Sequence, residues 1–498
     1  MTIPTFKDID FGEIDANAEH LMALLRRGIP MFERAFVPPP MQNLDRFKQH
    51  EKFLIYGQKG TGKSAVLRHL EAHSVKAGYR TDYIIFKDNV SEESDLFESG
   101  ILSPVSEQDV LKIRHYLHIM KRMLLLKFLY LMIAEKGERV AGELDAAAPF
   151  LGKVMEWFKN STLSDVSSYA IRTAFDLASS VKKDEQEGLR SIDFGKLLKG
   201  QNDTLLKSLV AQAKKESFKA VIFVDEIHFS FKDNESYRQD AMLVRDCIAA
   251  ALNLNETFIR NGVTCFVQVA VRSEFLEHPV IAQAEIQNQI HSFGEPIDWS
   301  SEKYDEKSRL WGFVLARVKL EDSRVTSRQF FDNYVGNGRA TSLLEHTWSK
   351  PRDLIRFFNV AKRRYPKKTN LDKADFDSVI KEYSIEAWRE LRTALSSFLN
   401  ESALLRLEEF LGENAHRNYN HTPFKKEDLV DFLMGVKSEF DNNLDVGLVL
   451  GLLYILGVLQ MRSEMAGGTI FNAYHRANLQ PKWDWEIYMH PAVAKRFS

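Results

Sequence analysis

Cysteine is nearly absent from this chain: two in 498 residues, Cys247 and Cys265. Both lie in apolar surroundings, so buried thiols in a reducing, cytoplasmic setting are expected and a disulfide framework is excluded. Net charge is nearly absent too. Lys and Arg total 67 against 69 Asp and Glu, leaving −2. No global excess calls for nucleic acid or a charged membrane, so any basic footprint must be local. A long apolar run is also missing. The densest, Met123–Ile133, is broken by Lys127 and is shorter than a bilayer requires. It reads as a buried helix, and no membrane partner is expected. The first residues, Met1 to Asp8, lack the shape of a signal peptide. No internal repeat or low-complexity stretch stands out.

What the chain does have is enough apolar residue, 44%, for cores in two to four domains. The stretch that organises it is Phe53-Leu-Ile-Tyr-Gly57-Gln58-Lys59-Gly60-Thr61-Gly62-Lys63-Ser64-Ala65. An apolar run, a glycine-rich turn and a helical pattern follow one another, and the turn matches G-x-x-x-x-G-K-[ST] at every fixed position. A triphosphate packs several negative charges together, and a loop of backbone N–H groups at a helix N-terminus can cradle them. Lys63 adds a point charge for the terminal phosphates, and the Ser64 hydroxyl can ligand Mg²⁺.

A second buried strand is expected at Thr81–Phe86 and a third at Lys219–Asp225. Asp225 and Glu226 close that third strand, where open α/β sheets bind ligands. Asp225 suits the Mg²⁺ shell, and Glu226 suits polarising an attacking water. A further strand, Thr264–Arg272, ends on an arginine able to reach a γ-phosphate. A short strand is expected at Gln289–Phe293. Between the second and third strands, residues 91–215 show only helix-length patterns, at Val105–Ala134 and Lys153–Ser180, with Glu135–Leu144 as a connection. They read as a helical insertion, packed as a lid or, as the alternative, binding a partner.

The organisation expected is α/β. Residues 1–50 form a lead-in that suits packing over a nucleotide base and plain bracing equally, with a helical pattern through Leu21, Leu24 and Leu25 that Pro38-Pro39-Pro40 stops. Residues 51–299 form the parallel-sheet core with its insertion. Residues 300–400 form a helical lid and linker, with Ser300 capping the first helix and Ile380, Ile385, Trp388 and Leu391 as a later core stripe. There Pro351 fits the N1 position of a helix. Arg352 in that first turn opposes the dipole and so points to an anion. The run Lys362–Lys368 carries five basic residues and suits either a solvated helix end or a phosphate backbone. Residues 401–498, with three helices and a hairpin, suggest a winged helix, although Val446–Leu456 lacks the basic residues of a DNA reader.

Together, Gly57–Ser64, the Val221–Glu226 strand, Arg272 and Pro351-Arg352 resemble the AAA+ and STAND groups of P-loop ATPases, especially those ending in a winged helix. The resemblance implies that Lys63 and Ser64 are phosphate and magnesium ligands, and that Asp225-Glu226 is the metal and water pair. It further implies that Arg272 is a sensor arginine, Pro351 a nucleotide-facing lid proline and Arg352 a second sensor. Such relatives act as nucleotide-driven switches, many in phage defence or signalling, or as replication initiators. The chain departs from them in the long interval between Lys63 and Asp225. It also has no arginine between Arg272 and Arg309, where rings of this superclass keep an inter-subunit finger. Asp225-Glu-Ile-His228 matches a helicase box, yet no helicase arginine motif follows. Three functions stay open at this point: an ATP-dependent switch that oligomerises or recruits a protein, a DNA-associated initiator or motor, and a module whose ATP site is only occupied.

Overall fold

A computed structural model describes residues 3–41, 43–86, 115–147, 151–158, 161–163, 165–170, 172–173, 191–227, 234–276, 281, 286–299, 306–336, 338–396, 399–419, 423–439, 446–462, 470–471 and 483–497. Parts of several expectations lie outside them: Val105–Arg114, Ala174–Ser180, His228, Ser300 and the hairpin turn at Ala466–Gly468.

Five parallel strands form the central sheet. They are β1 (Leu54–Gly57), β2 (Arg80–Ile85), β3 (Lys219–Asp225), β4 (Thr264–Arg272) and β5 (Gly294–Pro296), in the order β2-β3-β4-β1-β5. All the paired neighbours run parallel, so the expected α/β class holds. Because β4 separates β1 from β3, three C-terminal strand ends meet at one edge. Gly57 stands opposite Arg272 in register, and Asp225 ends the strand on the other side of β4.

Side chains alternate across each strand. Ala220, Ile222 and Val224 face one buried cluster, while Val221 and Phe223 join Ile55 and Ala270 in another. This explains why β3 reads as an unbroken apolar run: both its faces are covered. In the lead-in lies helix α1 (Ala16–Leu25), and α2 (Lys63–Lys76) crosses from β1 to β2. The helices α3 (His115–Lys136), α4 (Glu138–Ala147) and α5 (Ser191–Lys215) belong to the insertion, and α6 (Asn234–Arg260) follows β3. The described helices of the insertion pack beside the sheet and do not form a lid over the strand ends. α3 packs on α6, β2 and β3, forming a layer on the face away from α2.

Four local expectations are corrected. Glu135–Leu144 is not a connection: α3 ends at Gly137, φ +81°, and α4 begins at once, burying Val140 and pairing Arg139 with Glu143 one turn on. Gln289–Phe293 is not a strand but part of α7 (Gln287–Phe293), and β5 is the three residues after it. Ile286 and Ile290 enter the core together, a spacing of four that belongs to a helix. The prolines at 38–40 do not end α1. Its chain leaves at Arg27, φ +52°, with Gly28 N–H donating to Ala23 O. Its leucines also face outward, Leu25 being 77% exposed, while Glu19 and Ala23 are the buried residues. Finally, α8 (Arg309–Glu321) is capped by Ser308, whose hydroxyl accepts from Leu310 N–H.

Two later helices matter most for the site. α9 (Pro351–Arg364) starts at the N-cap Lys350 with Pro351 at N1, as the sequence predicts. α10 (Lys373–Leu395) opens with an Asp372/Asp375 capping box and buries Ile380, Trp388 and Leu391, with Ile385 half-buried. The basic run between them is mostly consumed internally. Arg363 and Arg364 pair with Glu382, Arg363 also with Glu386, Lys368 with Asp375, and Lys362 Nζ donates to Ile9 O. Beyond lie α11 (Glu401–Tyr419), α12 (Lys426–Gly435), α13 (Val446–Ile455) and a small antiparallel sheet of β6 (Leu459–Arg462), β7 (Ile470–Phe471) and β8 (Glu486–Met489). The last helix, α14 (Pro491–Phe497), packs back on α10. Among the described residues no helix is long and apolar enough to cross a membrane.

Candidate functional site

The glycine loop sits between β1 and α2, at the strand-end edge. Gly60 and Gly62 hold φ at +86° and +98°, values that cost an L side chain strain. A Cβ on Gly60 would also come 3.3 Å from the Cβ of Arg352. With Gly62 as the N-cap of α2, the loop presents backbone N–H groups that suit an anion. Lys63 folds over it, donating from Nζ to Gly57 O at 2.8 Å and Gln58 O at 2.9 Å. Thr61 is buried, and its carbonyl accepts from Trp299 Nε1 at 3.1 Å.

From across the sheet come the carboxylates. Asp225 is 2% exposed. Its Oδ2 accepts from Tyr83 Oη at 2.8 Å and its Oδ1 from Glu226 N–H at 2.9 Å. Burial drives the Tyr83 hydroxyl well above its ordinary range, and the Asp225 charge adds to it, so this phenol stays a donor. Glu226 adopts φ +52°, a conformation few non-glycine residues take and one that tends to occur at functional sites.

These parts share one cleft, with about 1140 Å³ of space including its solvent-open portion. Lys59, Gly60, Thr61, Gly62, Lys63, Ser64 and Ala65 line it, together with Asp225, Glu226, Arg272, Pro351 and Arg352. Gly57 and Gln58 act through their carbonyls. Thus the residues singled out from sequence, spread across most of the chain's first 352 positions, converge. Some contributors were missed. Tyr83 reads as an ordinary strand aromatic. Phe32 and Phe36 of the lead-in line the cleft, where packing against a ligand and plain bracing were equally open from sequence. Glu390 on α10 accepts from Lys59 Nζ and Arg352 Nη1, and no local signal marks it.

No group of three His, Cys, Asp or Glu suited to a metal occurs among the described residues. The donors next to the glycine loop are oxygens, the Ser64 hydroxyl and the carboxylates of Asp225 and Glu226. That set fits a hard cation such as Mg²⁺ arriving with phosphate oxygens, and does not fit an all-protein cage.

Burial pushes the Lys63 ammonium down from 10.5 to about 8, opposed by Glu274 and Asp225 and aided by Arg272 and Arg352. The sign of the consequence is definite. The folded chain binds fewer protons than the unfolded one between those values, so this lysine costs the fold stability below about pH 8, and the cost is relieved as pH rises toward 10.5. An anion needs the charged form. Once the ligand's own ionisation is allowed for, affinity for pyrophosphate should therefore stay level up to about pH 8 and weaken above it, by at most about tenfold per pH unit. Calorimetric titration across that range checks this, and a flat profile would remove Lys63 as the anion's cation.

No protein-family model and no curated protein matches the chain.

Proposed function

We propose that the cleft binds ATP with Mg²⁺ and hydrolyses its β–γ bond, working as a nucleotide-driven switch that couples phosphate state to self-association or protein recruitment. One observation carries the reading: an Asp-Glu pair from far down the chain shares a cleft with the glycine loop. In this reading the loop amides and Lys63 bind the phosphates, and Ser64 and Asp225 hold the metal. Tyr83 fixes the Asp225 carboxylate. Glu226 orients the attacking water and draws off its proton as the bond to phosphorus forms. A metal held there would supply charge neutralisation on the transferring phosphoryl group. Arg272, in register with Gly57, would sense the γ-phosphate. Pro351 and Arg352 bring α9 against the same ligand, so the helices after the core respond to what is bound. By its resemblance to AAA+ and STAND proteins the chain is a candidate for phage defence or signalling.

A DNA-associated role has less support. Four of the five basic residues at 362–368 are held by the chain's own carboxylates or a carbonyl, and the apolar face of α13 is buried. The deciding experiment is ATP turnover with and without duplex DNA, alongside gel filtration in ATP and in ADP. Turnover indifferent to DNA, with an ATP-dependent change in size or partner capture, is expected. DNA-stimulated turnover would favour the initiator, and tight binding without turnover would leave a binding module only.

A further inference from the structure

Glu390 lies on α10, outside every segment that sequence pattern ties to the site. Its Oε1 accepts from Lys59 Nζ at 2.7 Å and from Arg352 Nη1 at 2.9 Å, and its Oε2 accepts from Arg356. Lys59 is part of the glycine loop, and Arg352 packs on Gly60. A polar recess beside the cleft is lined by these same groups together with Glu226 and Arg272. Burial alone would raise the Glu390 carboxyl. Arg352, Lys59 and Arg356 overcome that and hold it far below the ordinary carboxylate range. Three cations converging on one partly buried oxygen pair form a built anion site.

We infer that Glu390 is a resident anion that competes with the nucleotide's phosphates for Lys59 and Arg352. This rests on the ATP reading of the cleft. In the structure the carboxylate occupies two cations, Lys59 and Arg352, that line the cleft beside Gly60–Ser64. ATP binding therefore includes a handover: the arginine and lysine turn to phosphate, and Glu390 keeps Arg356 alone. The handover loosens the tie between the glycine loop and α10. That helix is in turn joined to the C-terminal end of the chain. Ser384 Oγ donates to Ala492 O at 2.6 Å, and the Trp388 ring meets Phe497 edge-on at 5.1 Å. Phosphate occupancy is thereby linked to the packing of α14 on α10, through the Lys59–Glu390 contact at the loop.

The test is Glu390→Gln in the full chain, with Lys63→Ala and wild type alongside. Glutamine keeps the shape and removes the competing charge, so ATP should bind on the order of tenfold more tightly. Amide exchange over residues 491–497 should change on adding ATP to wild type. In Glu390→Gln it should already sit near the ATP-bound level and change little. Glu390→Asp, charged but shorter, should fall between wild type and Gln in affinity, and it serves if the Gln variant folds poorly. Affinity unchanged or weakened in both variants overturns the inference, as does exchange that responds to ATP just as in wild type. If wild type binds ATP and Lys63→Ala does not while the Glu390 variants match wild type, this inference alone fails. If wild type does not bind ATP at all, the proposed function fails with it.

Discussion

Lys63→Ala should lose ATP affinity by about a hundredfold or more, measured by calorimetry or by displacement of a fluorescent analogue. The estimate follows from its position. Nζ is held by the Gly57 and Gln58 carbonyls over the mouth of the glycine loop, and an ammonium has three donors. Toward a phosphate it can offer one or two charge-assisted hydrogen bonds, each worth about 1.5–3 kcal/mol. Two such bonds lost correspond to about two to four powers of ten in affinity. Alanine is a good helix former at the first position of α2, and it removes a buried charge that costs the fold stability, so the thermal unfolding midpoint should hold or rise. That control separates a lost ligand contact from a lost fold. Full affinity in the variant would dismiss the loop as the phosphate site.

Glu226→Gln should keep ATP and lose turnover, by about a hundredfold to ten-thousandfold. Glutamine takes the same volume and has no greater difficulty at φ +52°, and the backbone N–H that holds Asp225 is untouched. What disappears is the charge that can accept a water's proton. Binding measured beside turnover is the check. If hydrolysis persists at the wild-type rate, Glu226 is not the base, and its strained backbone serves only to hold Asp225. If binding falls as steeply as turnover, the carboxylate contributes to ground-state affinity instead, a different role from the one proposed.

How much of this was legible beforehand differs from element to element. The glycine loop was legible because its requirements are local: a left-handed backbone at Gly60 and Gly62, and a lysine opening a helix, can be met only by a few residue types. The strands β3 and β4 were legible because both their faces are covered, which leaves an apolar run with a polar residue at its end. Arg272 could be placed beside the Asp225 strand because parallel neighbours align their C-terminal ends. The segment before β5 misled because a short apolar pattern there fits either period, and the core contact of Ile286 with Ile290 decided for the helix. The leucines of α1 misled in another way. Their spacing suits a buried face, yet the lead-in turns Glu19 and Ala23 inward.

The sequence by itself determined the pieces whose chemistry lies in adjacent residues: the glycine loop, the acidic pair after a buried strand and a proline-opened helix with an arginine behind it. Only the tertiary structure decided which of them meet and what else joins them. Tyr83 behind Asp225 and Glu390 across from Lys59 are brought in by strand order and helix packing, from 142 positions away in the first case. Such contacts carry no local pattern, because a hydrogen bond constrains the positions of two side chains in space and leaves the intervening chain free.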